Sequence, residues 1–292
     1  MTPSDERPAL ARLRGWHAGG ETFRFRDHPI FHRVEGEGEP LLLVHGFPTA
    51  SWDWHRVWPA LVERFRVVAP DLLGFGFSAK PAGHDYSILE QADLCEALLP
   101  RVGIHEPVHL LAHDYGDTVA QELLARGAAL RTICLLNGGI FPEAIRRRPI
   151  QRLIEGPLGA VVARLMTEGR FGRSFAAIFG PETRPTGDEL AAFWELITAR
   201  GGKRIVHRIA RYQEERRRHR ERWVGALLGA DVPVRAVIGP ADPISGARMA
   251  ERWRELHPDP DVVLLDERIG HYPQLEDPGG VLDAFLEHAK TD

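Results

Sequence analysis

The chain has 292 residues, 43% hydrophobic and 27% charged, the make-up of an ordinary globular protein with one large domain or a core plus an insertion. A formal net charge of -4 gives no electrostatic reason to bind nucleic acid or an anionic membrane. Two cysteines, Cys95 and Cys134, are too few for a disulfide framework and sit in apolar segments, as buried small hydrophobes do.

The opening MTPSDERPALARLRG is charged and lacks the apolar stretch of a secretory signal. No run approaches the length of a membrane-spanning helix, so a cytoplasmic protein without membrane insertion is expected. Phe23 and Phe25 alternate with Thr22, Arg24 and Arg26, which predicts a half-buried antiparallel strand with Ile30 to Val34 as its partner. The pattern then changes to short continuous apolar runs at 41–44, 67–69, 108–112 and 133–136, the signature of strands buried on both faces of a parallel sheet. Helical stretches are predicted between them at Trp54 to Phe65, Ser87 to Val102 and Thr118 to Arg126, so the units read as βαβ.

The alternation stops at Gly138. Residues 138–230 read as several helices broken at Pro149, Pro157, Gly180-Pro181 and Gly201-Gly202. It resumes with a strand at Val234 to Ile238, a helix at Ala247 to His257, a strand at Val262 to Leu265 and a last helix at Val281 to Ala289. The domains expected are therefore a core in two parts, 1–137 and 231–292, interrupted by a helical cap at 138–230. The basic stretch from Lys203 to Trp223 carries interleaved glutamates at helical spacing and predicts a solvated helix face rather than a nucleic-acid patch.

Three motifs carry chemistry. In Leu110 to Thr118 an apolar strand ends at Ala112, Asp114 follows, and Gly116 opens a helix, the small-x-nucleophile-x-small layout of a nucleophile elbow. Small flanking residues are needed because the strand-to-helix turn is tight, and the helix start then offers the Tyr115 N–H to an oxyanion. His45-Gly46-Phe47-Pro48 follows the 41–44 run, where the Phe47 N–H is placed as the other donor. Asp242 and His271 then lie after successive strands in the chain order acid, then histidine, at the carboxyl ends where an open α/β sheet gathers its site. His84, His105, His109 and His113 show no metal-binding spacing, and neither a metal nor a cofactor is expected. Asp71 and Asp277 are expected to organise loops.

These residues resemble the α/β-hydrolase superfamily, in its epoxide hydrolase and haloalkane dehalogenase branch. The narrower likeness is to the mesoderm-specific transcript family, carried by Asp71 to Ser78, His113 to Asp117, Asn137 to Pro142, Arg222 to Leu227 and His271 to Pro278. The resemblance implies an α/β-hydrolase fold: a mostly parallel eight-stranded sheet with flanking helices and an inserted helical cap. It also implies a two-step hydrolysis in which Asp114 attacks an sp³ carbon and His271, oriented by Asp242, activates water against the resulting ester. An aspartate attacking an ester would form an anhydride, so a simple esterase is disfavoured. Dehalogenases of this branch hold halide with an Asn after His-Gly and a Trp after the nucleophile; this chain has Phe47 and Tyr115. Fluoroacetate-type enzymes place an Arg where Tyr115 stands. Epoxide hydrolases carry the His-Gly-x-Pro seen here and a cap phenol that protonates the opening oxygen. Tyr212 is the only tyrosine of the cap, where that family usually has two.

The expected reaction is hydrolysis of a small or medium apolar epoxide to a diol, with a haloalkane-type dehalogenase or a non-catalytic binding scaffold as alternatives. His45, Pro48, His113, Asn137, Phe141 and Trp194 are the expected substrate-binding residues. The expected partners are that apolar molecule and water, without nucleic acid; oligomeric state is not encoded in any motif found.

Overall fold

A computed structural model describes residues 7–290 and arranges eight strands as one sheet. β1 (Glu21–Phe25) and β2 (His28–Glu35) form the expected antiparallel hairpin, with Phe23 opposite Ile30. β3 (Glu39–Val44), β4 (Phe65–Pro70), β5 (Val108–His113), β6 (Leu130–Leu136), β7 (Val234–Ile238) and β8 (Asp261–Leu264) complete it. The spatial order is β1-β2-β4-β3-β5-β6-β7-β8; β2 runs antiparallel to β4, and every later pairing is parallel. The continuous apolar runs are explained by burial on both faces. Leu42, Val44, Leu110, Ala112 and Ile133 enter one core, while Leu41, Leu43, Leu111, Cys134 and Leu136 enter the other.

The helices depart from expectation in instructive places. α1 (Pro8–Ala18) was not expected; it buries Ala9, Leu13 and Trp16, an i, i+4, i+7 stripe hidden among charges. The single helix anticipated at Trp54 to Phe65 is instead a 3₁₀ turn at Ser51–Trp54 followed by α2 (Trp58–Val62). Pro59 forces the split, because a proline is tolerated in a first helical turn and not in an interior. α3 (Ile88–Arg101) begins where Ser87 Oγ accepts the Glu90 N–H at 3.1 Å. α4 (Tyr115–Ala125) starts directly after Asp114, three residues before the expected Thr118.

Between β6 and β7 the chain forms α5 (Pro149–Glu155), α6 (Gly159–Arg164), α7 (Glu168–Ala176), α8 (Gly187–Thr198), α9 (Val206–Ile209), α10 (Tyr212–Arg218) and α11 (Arg220–Leu228). Pro149 opens α5 rather than breaking a helix, the position where its missing N–H costs nothing. α10 corrects the reading of 203–223 as a solvated face: it buries Tyr212, Gln213 and Arg216. This cap is tied to the rest of the chain through its middle and its last helix. The Ala9 N–H donates to Asp188 Oδ2 of α8 at 2.7 Å, and buried Glu122 of α4 accepts from Arg222 and Trp223 of α11. α12 (Ala247–Leu256), α13 (Pro273–Glu276) and α14 (Pro278–His288) finish the core.

The turn between β5 and α4 is fixed by close packing. A Cβ on Gly116 would lie 2.2 Å from the Val44 carbonyl oxygen. Gly225, in α11, has nothing within 4 Å of such a position. Gly116→Ala is therefore expected to cost about 1–3 kcal/mol by overpacking, whereas Gly225→Ala should gain up to about 1 kcal/mol of helix propensity. Urea unfolding midpoints of the two variants check this, with opposite signs expected.

Candidate active site

Asp114 sits between β5 and α4 at φ 47° and ψ -99°, a backbone conformation few side-chain-bearing residues adopt. Such a conformation costs about 1–3 kcal/mol and persists only where the surroundings over-determine it. The Asp114 N–H is held by the Leu136 carbonyl at 3.1 Å, and Gly46 packs so closely that a Cβ there would meet the Asp114 Cβ at 3.2 Å. The strained turn sets the carboxylate beyond the carboxyl end of β5, in the interior of the sheet. There the Phe47 N–H donates to Asp114 Oδ2 at 3.2 Å.

His271 lies in the loop after β8, and its Nε2 is 4.0 Å from Asp114 Oδ2, beyond direct hydrogen-bond range. Its Nδ1 donates to Asp242 Oδ2 at 2.8 Å. Asp242, in the loop after β7, is itself held on every side: it accepts from Asn137 Nδ2 at 3.0 Å, from the Ile244 and Ser245 N–H groups, and from Ser245 Oγ at 2.7 Å. Burial would raise the Asp242 carboxyl, but the His271 charge and these donors outweigh it and hold it below the usual range. Burial would likewise lower His271; the Asp242 charge and hydrogen bond, with a smaller part from Asp114, instead raise it to about 9.

The cap adds two side chains over the carboxylate. Tyr212 is buried, its ring 4.8 Å from that of Tyr115 and 5.8 Å from that of Phe47. Burial and then the Asp114 charge push its phenol up, and Arg216 opposes them. Arg216 is 2% exposed. Its Nη2 donates to the Asp114 carbonyl at 2.7 Å and lies 3.5 Å from Oδ1, Nε donates to Thr118 Oγ1 at 2.6 Å, and the guanidinium stacks 4.5 Å from the Tyr212 ring centre. Phe47, Pro48, Asp114, Tyr212 and His271 border one cavity of about 400 Å³ that continues between the cap helices past Ile154, Val162, Phe171, Phe175 and Ile178. It is an apolar channel with a titratable floor.

Several residues expected to bind substrate do not border it. His45 is buried with Nδ1 on the Gly46 carbonyl at 2.8 Å and Nε2 accepting the Leu72 N–H at 3.0 Å, so it fixes its loop. His113 donates through Nε2 to the His271 carbonyl at 2.7 Å, and burial followed by the His271 charge lowers it to about 3. Asn137 braces Asp242 and Gly239. Phe141 packs on Trp253, and Trp194 packs on Phe171 outside the cavity wall. Only Pro48 of that set borders the channel. Asp71 and Asp277 organise backbone as expected, accepting the Ser51 and Phe77 N–H groups and the Gly280 N–H respectively.

Sequence reasoning missed Arg216, Glu276 and Asp117. Glu276 accepts the Gly180, Gly270 and Tyr272 N–H groups, each at 2.8 Å, and so ties the His271 loop to the cap. Its signal was its place in the His271 to Pro278 motif. Asp117 is fully buried one turn behind Asp114; burial, reinforced by the Asp114 charge, pushes its carboxyl well above the usual range. Among the described residues no cluster of three or more His, Cys, Asp or Glu side chains is arranged to hold a metal ion.

A sheet in this order, with an acid on the turn after β5 and an acid–histidine pair after β7 and β8, defines a hydrolase-fold architecture. The model of the "Alpha/beta hydrolase family" matches residues 41–284, and the chain belongs to that family. It is 42% identical over 290 residues to the mouse "Mesoderm-specific transcript protein", covering 94% of this chain and 87% of that one. It is 39% identical over 281 residues to "Putative hydrolase LipZ" of Mycobacterium tuberculosis, covering 94% and 96%. An alpha/beta hydrolase fold protein from Burkholderia ambifaria superposes with a TM-score of 0.79 at 26% identity, covering 91% and 97%. Epoxide hydrolase CorEH and the haloalkane dehalogenase DbeA from Bradyrhizobium elkani superpose at 0.75 and 0.76, each at 21% identity, a likeness of fold alone.

Because the folded value of His271 exceeds the ordinary one of 6.5, its pairing contributes stability that is fully present below that value and lost as pH rises through about 9. Asp242→Asn removes the charge that holds it up. NMR titration of the His271 ring is expected to show a high midpoint in the parent protein and a markedly lower one in that variant.

Proposed function

We propose that the chain hydrolyses epoxides to diols through an ester on Asp114. The observation that carries this reading is a carboxylate, not a hydroxyl, facing the channel with the Phe47 N–H on one oxygen and the His271–Asp242 pair behind it. In the first step an Asp114 oxygen attacks a ring carbon, the ring C–O bond breaks, and the departing oxygen takes the Tyr212 proton. In the second, His271 takes a proton from water while the hydroxide adds to the Asp114 carbonyl carbon. The Phe47 and Tyr115 N–H groups receive the oxyanion. Collapse expels the diol oxygen with the His271 proton, and the new carboxyl returns its proton to the Tyr212 phenolate.

Charge bookkeeping favours this order of events. Esterification removes the Asp114 charge, one of the contributions that raise His271, and so eases the imidazole towards its basic neutral form when water must be activated. The same event relieves Tyr212, whose phenolate is left beside the Arg216 guanidinium. Arg216 lies outside the cavity lining, so it steadies the phenolate from behind, and Tyr212 is left as the one cap donor to the opening oxygen. Phe47 and Tyr115 offer no side-chain N–H to a halide, and this supports the epoxide over the haloalkane.

His271→Gln is expected to lower turnover by about 10²–10⁴-fold and to accumulate a covalent adduct, visible by mass on the peptide containing Asp114, with aryl or alkyl epoxides. Tyr212→Phe should slow adduct formation itself by a similar factor of about 10²–10⁴. Halide release from haloalkanes, with no adduct from any epoxide, would replace the reading with a dehalogenase.

A further inference from the structure

The channel opens on a part of the cap whose surface is unlike the rest of the molecule. Among the described residues the exposed large hydrophobics are Leu153, Leu158, Val161, Leu165 and Leu264. The first four fall on α5, α6 and the residues that flank α6, each between 48% and 61% exposed. Leu158, Val161 and Leu165 follow an i, i+3, i+7 spacing, one helix face. Leu153 and Leu165 also border the channel, so the exposed patch and the apolar interior are continuous.

The charge around this patch is one-sided. Residues 146–173 carry seven arginines and two glutamates, in a chain whose formal charge is -4. One glutamate, Glu155, is paired with Arg147 at 2.9 Å. Among the described residues, Arg152, Arg164, Arg170 and Arg173 are exposed and form no carboxylate pair, and Arg148 and Arg170, at the channel wall, donate to the Ser174 and Leu165 carbonyl oxygens. An apolar helix face rimmed by arginines is the form of a surface that rests in the interfacial plane of a bilayer. Arginine suits the rim, because its stem lies along apolar surface while its head reaches phosphate.

We propose that the α5–α6 face of the cap docks on an anionic lipid bilayer, seating the channel mouth against the acyl chains so that an apolar substrate enters from the leaflet. No step of the chemistry on Asp114 is needed for this docking. It also differs from membrane spanning: no helix of the described residues is long and apolar enough to cross a membrane. A patch of this size rimmed by one sign of charge is matched by a surface that is apolar below and anionic above, which a lipid leaflet supplies and a second copy of this arginine-rich face does not.

Co-sedimentation with phosphatidylcholine vesicles, with and without phosphatidylglycerol, tests it. The parent chain is expected to pellet with the anionic vesicles, weakly with the neutral ones, and to be released as salt screens the arginines. Leu158→Glu/Val161→Glu, at positions outside the channel wall, should reduce partitioning at least about tenfold while leaving the thermal unfolding midpoint in place. Arg152→Glu/Arg164→Glu should reduce it by roughly tenfold or more and flatten its salt dependence. The proposal is overturned if the parent chain stays in the supernatant with both vesicle types, or if the leucine–valine variant still binds. It is equally overturned if sedimentation velocity without vesicles shows a dimer that this variant dissolves, which would give the patch to a second copy.

Discussion

A carboxylate held on a left-handed turn between β5 and α4 is the constraint around which the remaining parts are arranged. The turn at Asp114 is unfavourable by itself, and it is kept by two glycines that admit close neighbours and by a backbone hydrogen bond. Gly116 admits the Val44 carbonyl, Gly46 admits His113 and Asp114, and the Leu136 carbonyl takes the Asp114 N–H. With the backbone fixed in this way, both carboxylate oxygens have defined surroundings before any substrate arrives: the Phe47 N–H on one side and the cap guanidinium of Arg216 on the other. Such preorganisation is what a charge-developing reaction needs, since no reorientation is left to do at the moment of bond formation.

A second layer supports the first. Asn137 and Ser245 brace Asp242, which orients His271, while Glu276 gathers three N–H groups of the loops around His271 and the cap. His113, kept neutral by burial and by the neighbouring imidazole, supports the His271 backbone without competing for its proton. Behind Asp114 the Asp117 carboxyl is pushed towards its neutral form, so the helix start does not set a second full negative charge against the first.

Much of this was legible in the sequence because it depends on local rules. Period-two alternation marked the hairpin, continuous apolar runs marked strands covered on both faces, and the small residues flanking Asp114 marked a tight turn. Contacts between distant segments were not legible. Arg216 looked like one more arginine in a basic helix, and only the packing of α10 on the turn between β5 and α4 sets it beside Asp114. His45, His113 and Asn137 were assigned to substrate for their nearness to motifs, whereas each faces backbone or a neighbouring carboxyl and supports the site from behind. A net charge of -4 hid the local excess of arginine around α5 and α6, since a sum over the chain carries no information on where the charge lies.

The central claim is that Asp114 is the nucleophile, and a single turnover in ¹⁸O-water with excess enzyme and an epoxide tests it most directly. If water attacks an Asp114 ester at its carbonyl carbon, the label appears in the peptide containing Asp114 and the first diol released carries unlabelled oxygen from the carboxylate. Label in the diol, with none in that peptide, would mean that water attacks the substrate itself and would contradict the account.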